Sequence, residues 1–186
     1  MADFYEAFKK FKGIEFSRPE NVLHRNKGEN GLTYYGIYQS AHPYWDGWVF
    51  VSDYLSDTKS REEASVEAFK DERLTKLVSK FYYSKFWKPL SLDKIKSQKI
   101  AEEMFFFYVN TGDKRRVSRY AQDIVGVNQD GNIGPATISA INNFSEVIFD
   151  VEYDIREIIF YEHLAKTNPH RYNRFLKGWK NRARKI

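Results

Sequence analysis

The sequence predicts an all-α fold with one exception, a small irregular hairpin around residues 29–35. Two observations support this fold class. Along most of the 186 residues, apolar side chains recur three and four positions apart, as they do on one face of an α-helix. Outside the hairpin no segment alternates apolar and polar residues convincingly, so very little strand is expected.

The first predicted element is a short amphipathic helix, which Asp3 can cap. Phe4, Phe8 and Phe11 recur on one face of it, and four residues later the same face carries Glu15. We therefore expect the Glu15 carboxyl group at the last turn, pointing where the phenylalanines point. Burial and the negative end of the helix dipole should both raise its pKa, as a general acid requires. The alternative is a frayed helix end with Glu15 in solvent.

The rest of the chain predicts further helices. Ser60 and Glu63 match a capping box, and the helix that they begin should run to the next proline. Residues 95–110 and 115–125 are further helical segments. Pro135 fits the first turn of another helix, after an Asp-Gly turn.

Composition excludes several classes of protein. There is no cysteine, so neither a disulfide nor a thiolate nucleophile is available. No window approaches the roughly 18 apolar residues of a membrane span. The N-terminus lacks the basic and apolar regions of a signal peptide, so we expect synthesis in the cytoplasm.

The formal net charge is +5, and a basic cluster lies near the C-terminus: Lys177, Lys180, Arg182, Arg184 and Lys185. Such a cluster can bind nucleic acid, membrane lipid or an anionic cell wall, or it can be a solvated helix end. Since 25 acidic residues are spread through the chain and no nucleic-acid-binding motif is present, we do not expect a nucleic-acid partner.

The segment that begins at Glu15 resembles the start of the bacterial and phage lysozymes of glycoside hydrolase family 108. Those proteins open with a helix that ends in E-G-G-Y, followed by an Asp-Pro-Gly-Gly turn and T-N-Y-G-I. Here residues 33–37 read T-Y-Y-G-I, and E-F-S-R stands at Glu15. Because the loop to Thr33 is longer than usual, Glu20 is a rival for the glutamate's position. Glu20 follows a proline and has no apolar stripe behind it, so we prefer Glu15.

The C-terminal half carries two further motifs. Residues 122–137 contain Q…D-G-x-I-G-P-x-T, and residues 169–182 match P-x-x-x-x-F-L-x-G-W-x-N-R. Both resemble the predicted peptidoglycan-binding region of family 108 proteins. The resemblance implies a lysozyme-like fold with a catalytic region over residues 1–90 and a peptidoglycan-binding region over residues 91–186, packed into one compact unit. We expect both motifs to be chiefly structural, with four apolar side chains buried: Ile133, Phe175, Leu176 and Trp179.

The resemblance implies a muramidase that cuts the β-1,4 bond between N-acetylmuramic acid and N-acetylglucosamine in peptidoglycan glycan strands. Glu15 would be the general acid. Glu29 is the candidate base in the following turn, and Thr33 would orient a water across the cleft. With a base the reaction inverts; without one the sugar's own hydroxyl could attack, as in lytic transglycosylases. A non-catalytic wall-binding or secretion-assembly protein is a further alternative.

The resemblance places residues 38–48 beside the sugar-binding cleft, so Tyr38, Trp45 and Trp48 are candidates for stacking on sugar rings; the alternative is packing between the hairpin and the next helix. The resemblance also makes Tyr35, in the T-Y-Y-G-I segment, and Asn110, at an ending similar to the family's V-N-x-G, candidates for substrate binding. No cofactor is expected. His42 has no second His or Cys at ligand spacing, and residues 130–137 lack the glycine and glutamate of a calcium loop, so we predict no metal site. We expect a monomer that acts on the wall after release from the cytoplasm.

Overall fold

The computed structural model describes residues 1–26 and 28–184, which contain nine α-helices and one small antiparallel sheet. The helices are α1 (Phe4–Glu15), α2 (Gly47–Asp57), α3 (Arg61–Lys70), α4 (Glu72–Tyr82), α5 (Gln98–Thr111), α6 (Lys114–Ile124), α7 (Pro135–Asn142), α8 (Glu146–Thr167) and α9 (Pro169–Ala183). The strands are β1 (Leu23–His24), β2 (Thr33–Tyr34) and β3 (Ile37–Tyr38), with β2 in the middle. The predicted class, mostly helical with minimal strand, is confirmed.

These residues form two compact units. The sheet unit is Phe8–Tyr83, and the helical unit is Met1–Ala7 together with the described part of Ser84–Ile186. Helix α1 contributes its first turn to the helical unit and the remainder to the sheet unit. The division of the sequence into regions 1–90 and 91–186 stays a prediction.

Helix α1 begins directly after Asp3, as the sequence predicts. The Asp3 carboxylate accepts hydrogen bonds from the backbone N–H groups of Tyr5 (2.7 Å) and Glu6 (3.1 Å), which caps the helix. Within the sheet unit, the rings of Phe8 and Phe11 are buried and both contact Tyr82. The apolar stripe that leads to the end of α1 is therefore buried, as predicted.

The segment predicted as one helix after residue 60 is two helices, α3 and α4. Ser60 Oγ accepts a hydrogen bond from Glu63 N (3.1 Å), so the predicted cap is confirmed. The break falls at Asp71, whose carboxylate accepts a hydrogen bond from Arg73 N (2.8 Å). The Asp71 side chain therefore caps the start of α4. The backbone of Asp71 is extended, and this ends α3.

A two-residue turn joins β2 to β3. Tyr34 pairs with Ile37, so Tyr35 and Gly36 occupy the two central positions, with φ of 48° and 73°. Positive φ at both positions is the mark of a type I′ turn, the commonest tight turn between antiparallel strands. The tight turn therefore lies at the end of the predicted hairpin, and most of residues 25–32 form the loop between β1 and β2.

The core of the helical unit is aromatic. Phe105, Phe106 and Phe107 of α5 are at most 1% exposed. The ring of Phe107 meets that of Tyr153 on α8 edge-on, at 5.9 Å between centroids. The α5–α8 interface is thus central to this unit.

Gln122 of α6 explains the Q…D-G-x-I-G-P-x-T motif. Its Nε2 donates hydrogen bonds to Asp130 Oδ1 (2.7 Å) and to the carbonyl oxygen of Asn132 (2.9 Å), and its Oε1 accepts one from Gly131 N (2.9 Å). The hydrogen bond from Gln122 lowers the pKa of Asp130. The motif builds a loop held by one buried amide, which agrees with the predicted structural role. Ile133 in this loop is 9% exposed.

The prediction that Phe175 is buried is wrong, since 41% of this residue is exposed. Leu176 and Trp179 are half-buried rather than buried. Helix α9 packs mainly along α8, with one of its faces towards that helix. On that face the ring of Trp179 stacks on Tyr161 at 4.9 Å, while Phe175 stacks on Trp179 from the outer side at 5.6 Å.

Part of the basic cluster is engaged within the protein. Lys180 Nζ pairs with Glu162, and Arg182 Nη1 donates a hydrogen bond to Asn110 Oδ1 (2.8 Å). Lys185 lies outside the described residues. Within residues 1–26 and 28–184, no helix combines the length and hydrophobicity that crossing a bilayer requires.

Candidate active site

Glu15 is the last residue of α1. The residue is half-buried, and its Oε1 atom is fully buried. It borders an open cleft of about 200 Å³, together with Phe16, Ser17, Arg18, Asn21 and Val22. The carboxyl group thus lies at the end of the buried aromatic stripe, as the spacing of the phenylalanines predicts, and it borders a solvent-accessible cleft.

Tyr82 is the buried polar neighbour of this carboxyl group. Burial raises the pKa of Tyr82, and the nearby charge of Glu15 raises it further. Its hydroxyl group donates a 2.7 Å hydrogen bond to the carbonyl oxygen of Tyr35. Tyr82 therefore lies between the end of α1 and the tight turn of the sheet.

Phe16 connects the same two elements through its ring. It lies edge-on to Phe11 at 5.6 Å and edge-on to Tyr35 at 4.8 Å. Its aromatic contacts fix the path of the chain directly after Glu15.

Glu29 and Thr33 lie on the loop and strand that follow. Glu29 is half-buried, and its Oε2 accepts a hydrogen bond from Asn26 Nδ2 (3.0 Å). Thr33 is 6% exposed and opens the central strand β2, where it pairs with His24 on one side and Tyr38 on the other. The sheet thus holds Thr33 in place, whereas Glu29 is held by a turn. Their catalytic roles stay predictions.

Two of the predicted sugar-binding aromatic residues are buried. Tyr35 is 2% exposed, and its ring stacks on Phe69 at 5.9 Å. Trp48 is 8% exposed, and its Nε1 donates a 2.7 Å hydrogen bond to the carbonyl oxygen of His42. Both rings contact protein on their faces or edges in this structure, and their role in substrate binding stays a prediction.

The other two aromatic candidates keep exposed surface. Trp45 is half-buried and stacks on Tyr34 at 6.1 Å. It also covers Gly47, where a Cβ atom would clash with the indole ring. Tyr38 is half-buried, and its hydroxyl oxygen accepts a hydrogen bond from Asn30 N (3.2 Å). These rings are therefore held in place and partly open to solvent.

Asn110 lies in the helical unit, near the end of α5. Its side chain is exposed, and its Oδ1 accepts the hydrogen bond from Arg182. This contact joins α5 to α9 inside that unit. A role in substrate binding stays a prediction.

The structure also reveals an acidic cluster that the sequence analysis missed. Glu103 on α5 and Glu157 on α8 are 0% and 2% exposed, and Asp150 and Asp154 of α8 are half-buried. Burial, and then the charges of Glu157, Asp154 and Asp150, raise the pKa of Glu103 to about 10. Burial, and then the charge of Asp150, raise the pKa of Asp154 to about 6. One signal was present in the sequence: Ile100, Phe106 and Phe107 lie three or four positions from Glu103 and so share its helix face, which predicts a buried carboxyl group.

A mostly helical fold with a small antiparallel sheet, and a carboxyl group at a helix end beside a cleft, define a lysozyme-like class of protein. Residues 21–112 match the family model described as Glycosyl hydrolase 108, and residues 116–184 match the one described as Predicted Peptidoglycan domain. The chain thus carries a glycosyl hydrolase family 108 region followed by a peptidoglycan domain, in the predicted order. These are the regions of a peptidoglycan-related glycoside hydrolase.

The family match begins after both candidate glutamates, so it includes Glu29 and Thr33 but neither Glu15 nor Glu20. The chain is also similar in structure to the Brucella abortus protein SagA, with a TM-score of 0.59 and 18% sequence identity over 97% of this chain and 95% of that one. At this identity the likeness shows the fold alone. No curated protein matches the chain.

Proposed function

We propose that this protein is a muramidase, which hydrolyses the β-1,4 bond between N-acetylmuramic acid and N-acetylglucosamine with Glu15 as the general acid. The observation that carries this proposal is the position of Glu15. One carboxyl oxygen is buried at the end of a helix, near Tyr82, and the residue borders a cleft. Burial and the negative helix end both favour the protonated form, which must deliver a proton to the leaving oxygen.

The contrast with Glu20 supports this choice of glutamate. Glu20 is exposed in the short 3₁₀ segment Pro19–Asn21, and no buried aromatic stripe precedes it. Glu15 follows directly on the buried rings of Phe8 and Phe11. This contrast supports Glu15 rather than Glu20 as the general acid.

We assign the second half of the reaction to Glu29 and Thr33. Glu29 would activate a water molecule, and Thr33, held on the central strand, would orient it. This arrangement inverts the configuration at the anomeric carbon. If Glu29 does not act as a base, attack by the sugar's own hydroxyl would make the protein a lytic transglycosylase with the same general acid.

The match to a peptidoglycan domain supports peptidoglycan glycan strands as the substrate. Tyr38 and Trp45 would stack on the sugar rings, because both keep exposed surface. Tyr35 and Trp48 would support the sugar-binding segment from their buried positions. Asn110 would form hydrogen bonds with sugar hydroxyl groups. We propose that the protein acts as a monomer on the cell wall, with residues 1–90 as the catalytic region and 91–186 as the binding region.

Digestion of purified peptidoglycan, followed by mass spectrometry of the products, tests the function. A muramidase leaves N-acetylmuramic acid at the new reducing end. An anhydro-muramic end would instead identify a transglycosylase, and a reducing N-acetylglucosamine would contradict the proposed bond. Wall binding without any cleavage product would contradict the enzyme and favour a non-catalytic wall-binding or secretion-assembly protein.

A further inference from the structure

The acidic cluster of the helical unit has a geometry that the proposed glycosidase does not use. Glu103 projects from α5, while Asp150 and Asp154 are four residues apart and so share one face of α8. One carboxylate oxygen from each of the three lies within 4.8 Å of the other two. Oxygen ligands on opposite sides of one Ca²⁺ ion are about 4.6–5.2 Å apart, because each Ca–O distance is about 2.3–2.6 Å. A single ion can therefore touch all three.

Glu103 provides an independent observation. It has no exposed surface, and neither of its carboxylate oxygens accepts a hydrogen bond from a donor group among residues 1–26 and 28–184. The side chain within hydrogen-bond reach is another carboxyl group, that of Asp150. A buried carboxylate is costly unless a cation or hydrogen-bond donors compensate it. The groups that raise its pKa by proximity are themselves acidic: Glu157, Asp154 and Asp150. Glu103 is therefore surrounded mainly by negative charge and would be stabilised by a cation. Lys99 is the basic side chain nearby, since the charge of Glu103 helps to raise its pKa.

The neighbouring lysine does not remove this requirement. Lys99 Nζ forms an ion pair with Asp150 Oδ2 at 2.9 Å, and its side chain is 41% exposed. Because a carboxylate has two oxygens, Asp150 can hold the lysine with one and an ion with the other. Glu103 lies on the buried side of the cluster, whereas the half-buried Asp150 and Asp154 give an ion access from solvent.

We propose that Glu103, Asp150 and Asp154 bind one hard divalent cation, Ca²⁺ or Mg²⁺, which ties α5 to α8. Three carboxylates without nitrogen or sulfur ligands are the donor set that such cations prefer, and water would complete the coordination. Glu103 belongs to the region that matches the glycosyl hydrolase model, and the two aspartates belong to the peptidoglycan domain. The ion would therefore join these two sequence regions inside the helical unit. The site uses none of the residues proposed for catalysis.

Terbium luminescence provides a direct test on the full chain, because Tb³⁺ occupies hard oxygen sites and is sensitised by nearby aromatic rings. Tyr153 is the residue directly before Asp154 on α8, so an aromatic ring that can transfer energy lies next to the proposed site. We expect sensitised emission from the parent protein, displaced by Ca²⁺ or Mg²⁺. The emission should fall at least tenfold in Glu103→Gln and in Asp154→Asn.

Glu152→Gln is the matched control. It removes one negative charge from the same helix, at a side chain that is 45% exposed and pairs with Arg156. The control should keep the parental emission. Absence of sensitised emission from the parent protein, or equal emission from all four proteins, would overturn the proposal.

Thermal unfolding gives a second measurement that does not depend on luminescence. After treatment with EDTA, adding Ca²⁺ or Mg²⁺ at about a hundredfold excess over its dissociation constant should raise the Tm by about 5–10 °C. Asp154→Asn should show no rise, and Glu152→Gln should show the parental rise. A Tm that neither ion changes would mean that the cluster holds protons in place of a cation, and the proposal would fail.

Discussion

The hydroxyl group of Tyr82 lies 2.7 Å from the carbonyl oxygen of Tyr35 and donates a hydrogen bond to it, at the first position of the turn between β2 and β3. The charge of Glu15 acts on the same hydroxyl group and raises its pKa. One buried tyrosine thus connects the helix that ends at Glu15 with the strand that carries Thr33. The candidate site depends on a side chain to which we assign no catalytic role.

Tyr82→Phe should destabilise the protein. The substitution leaves the buried carbonyl group of Tyr35 without this donor, which costs about 1–3 kcal/mol of unfolding free energy. Urea unfolding of the full chain measures the loss. Tyr44→Phe is the control, since Tyr44 is 94% exposed, and it should change the unfolding free energy by less than about 0.5 kcal/mol. Equal stability of the two variants would show that the hydrogen bond contributes nothing.

Gly36→Ala should also destabilise, for a steric reason. Gly36 has φ of +73°, and a Cβ atom built there would lie 2.9 Å from Tyr82 Oη. The left-handed conformation alone costs a non-glycine residue about 1–2 kcal/mol. Combining Gly36→Ala with Tyr82→Phe should cost less than the sum of the two, because the second change removes the atom that the new methyl group meets.

Gly13→Ala is the matched control for that turn. Gly13 lies within α1, and a Cβ atom there would meet nothing within 4 Å. Alanine in a helix interior is favoured over glycine by about 0.5–1 kcal/mol, so this variant should be more stable than the parent. Opposite signs for the two Gly→Ala variants in urea unfolding would support the turn geometry. Destabilisation by both would argue against it.

Glu15→Gln should abolish most wall lysis without unfolding the protein. Glutamine keeps the shape of the side chain but cannot deliver a proton, and general-acid contributions are typically about 10²–10⁴-fold. We expect the rate of peptidoglycan solubilisation to fall at least about a hundredfold. Glu29→Gln should be severe if a base is needed and mild if the sugar's own hydroxyl attacks.

Glu20→Gln is the control for the choice of glutamate and should cost little activity. If Glu20→Gln is inactive and Glu15→Gln is fully active, Glu20 rather than Glu15 is the general acid. If both variants retain parental activity, the muramidase proposal fails. Circular dichroism of each variant excludes loss of fold as the cause.

Asp71 predicts a pH dependence of stability. The hydrogen bond from Arg73 is the main cause that lowers the pKa of Asp71 from an ordinary value of 3.8 to about 2. Since the folded pKa is depressed, the stabilisation is present above pH 3.8 and is lost as the pH falls from about 3.8 to about 2. This stabilisation amounts to about 1 kcal/mol, because the Arg73 side chain is 67% exposed and solvent screens its interaction with Asp71.

Asp71→Asn removes the titrating group and should flatten this window. Urea unfolding at several pH values measures the difference between parent and variant, which should shrink as the pH falls towards 2. Asp53→Asn, at an exposed position of α2, should follow the parent throughout. A parent–variant difference that is the same at every pH would contradict the role of this charge.

Local interactions explain what the sequence predicted correctly. The cap at Asp3, the cap at Ser60 and the phenylalanine stripe of α1 involve residues within four positions of one another. The break between α3 and α4 also has a local cause, because an aspartate that caps the start of one helix can end the helix before it. The Asp71 side chain caps α4 only when its backbone leaves the helical conformation. The hydrogen bond that Tyr54 donates to the Asp71 carboxylate also favours this break.

The sequence by itself determined the helical class, the position of Glu15 at a helix end and the motifs of the two family regions, since each depends on neighbouring residues. Only the tertiary structure decided that Tyr35 is buried, that Phe175 is exposed and that Glu103 meets Asp150 and Asp154. Those outcomes depend on which elements cover a given face, and residues far apart in the chain meet only after the helices pack. Periodicity specifies that a helix has an apolar face, but the partner that covers this face is set by the whole fold.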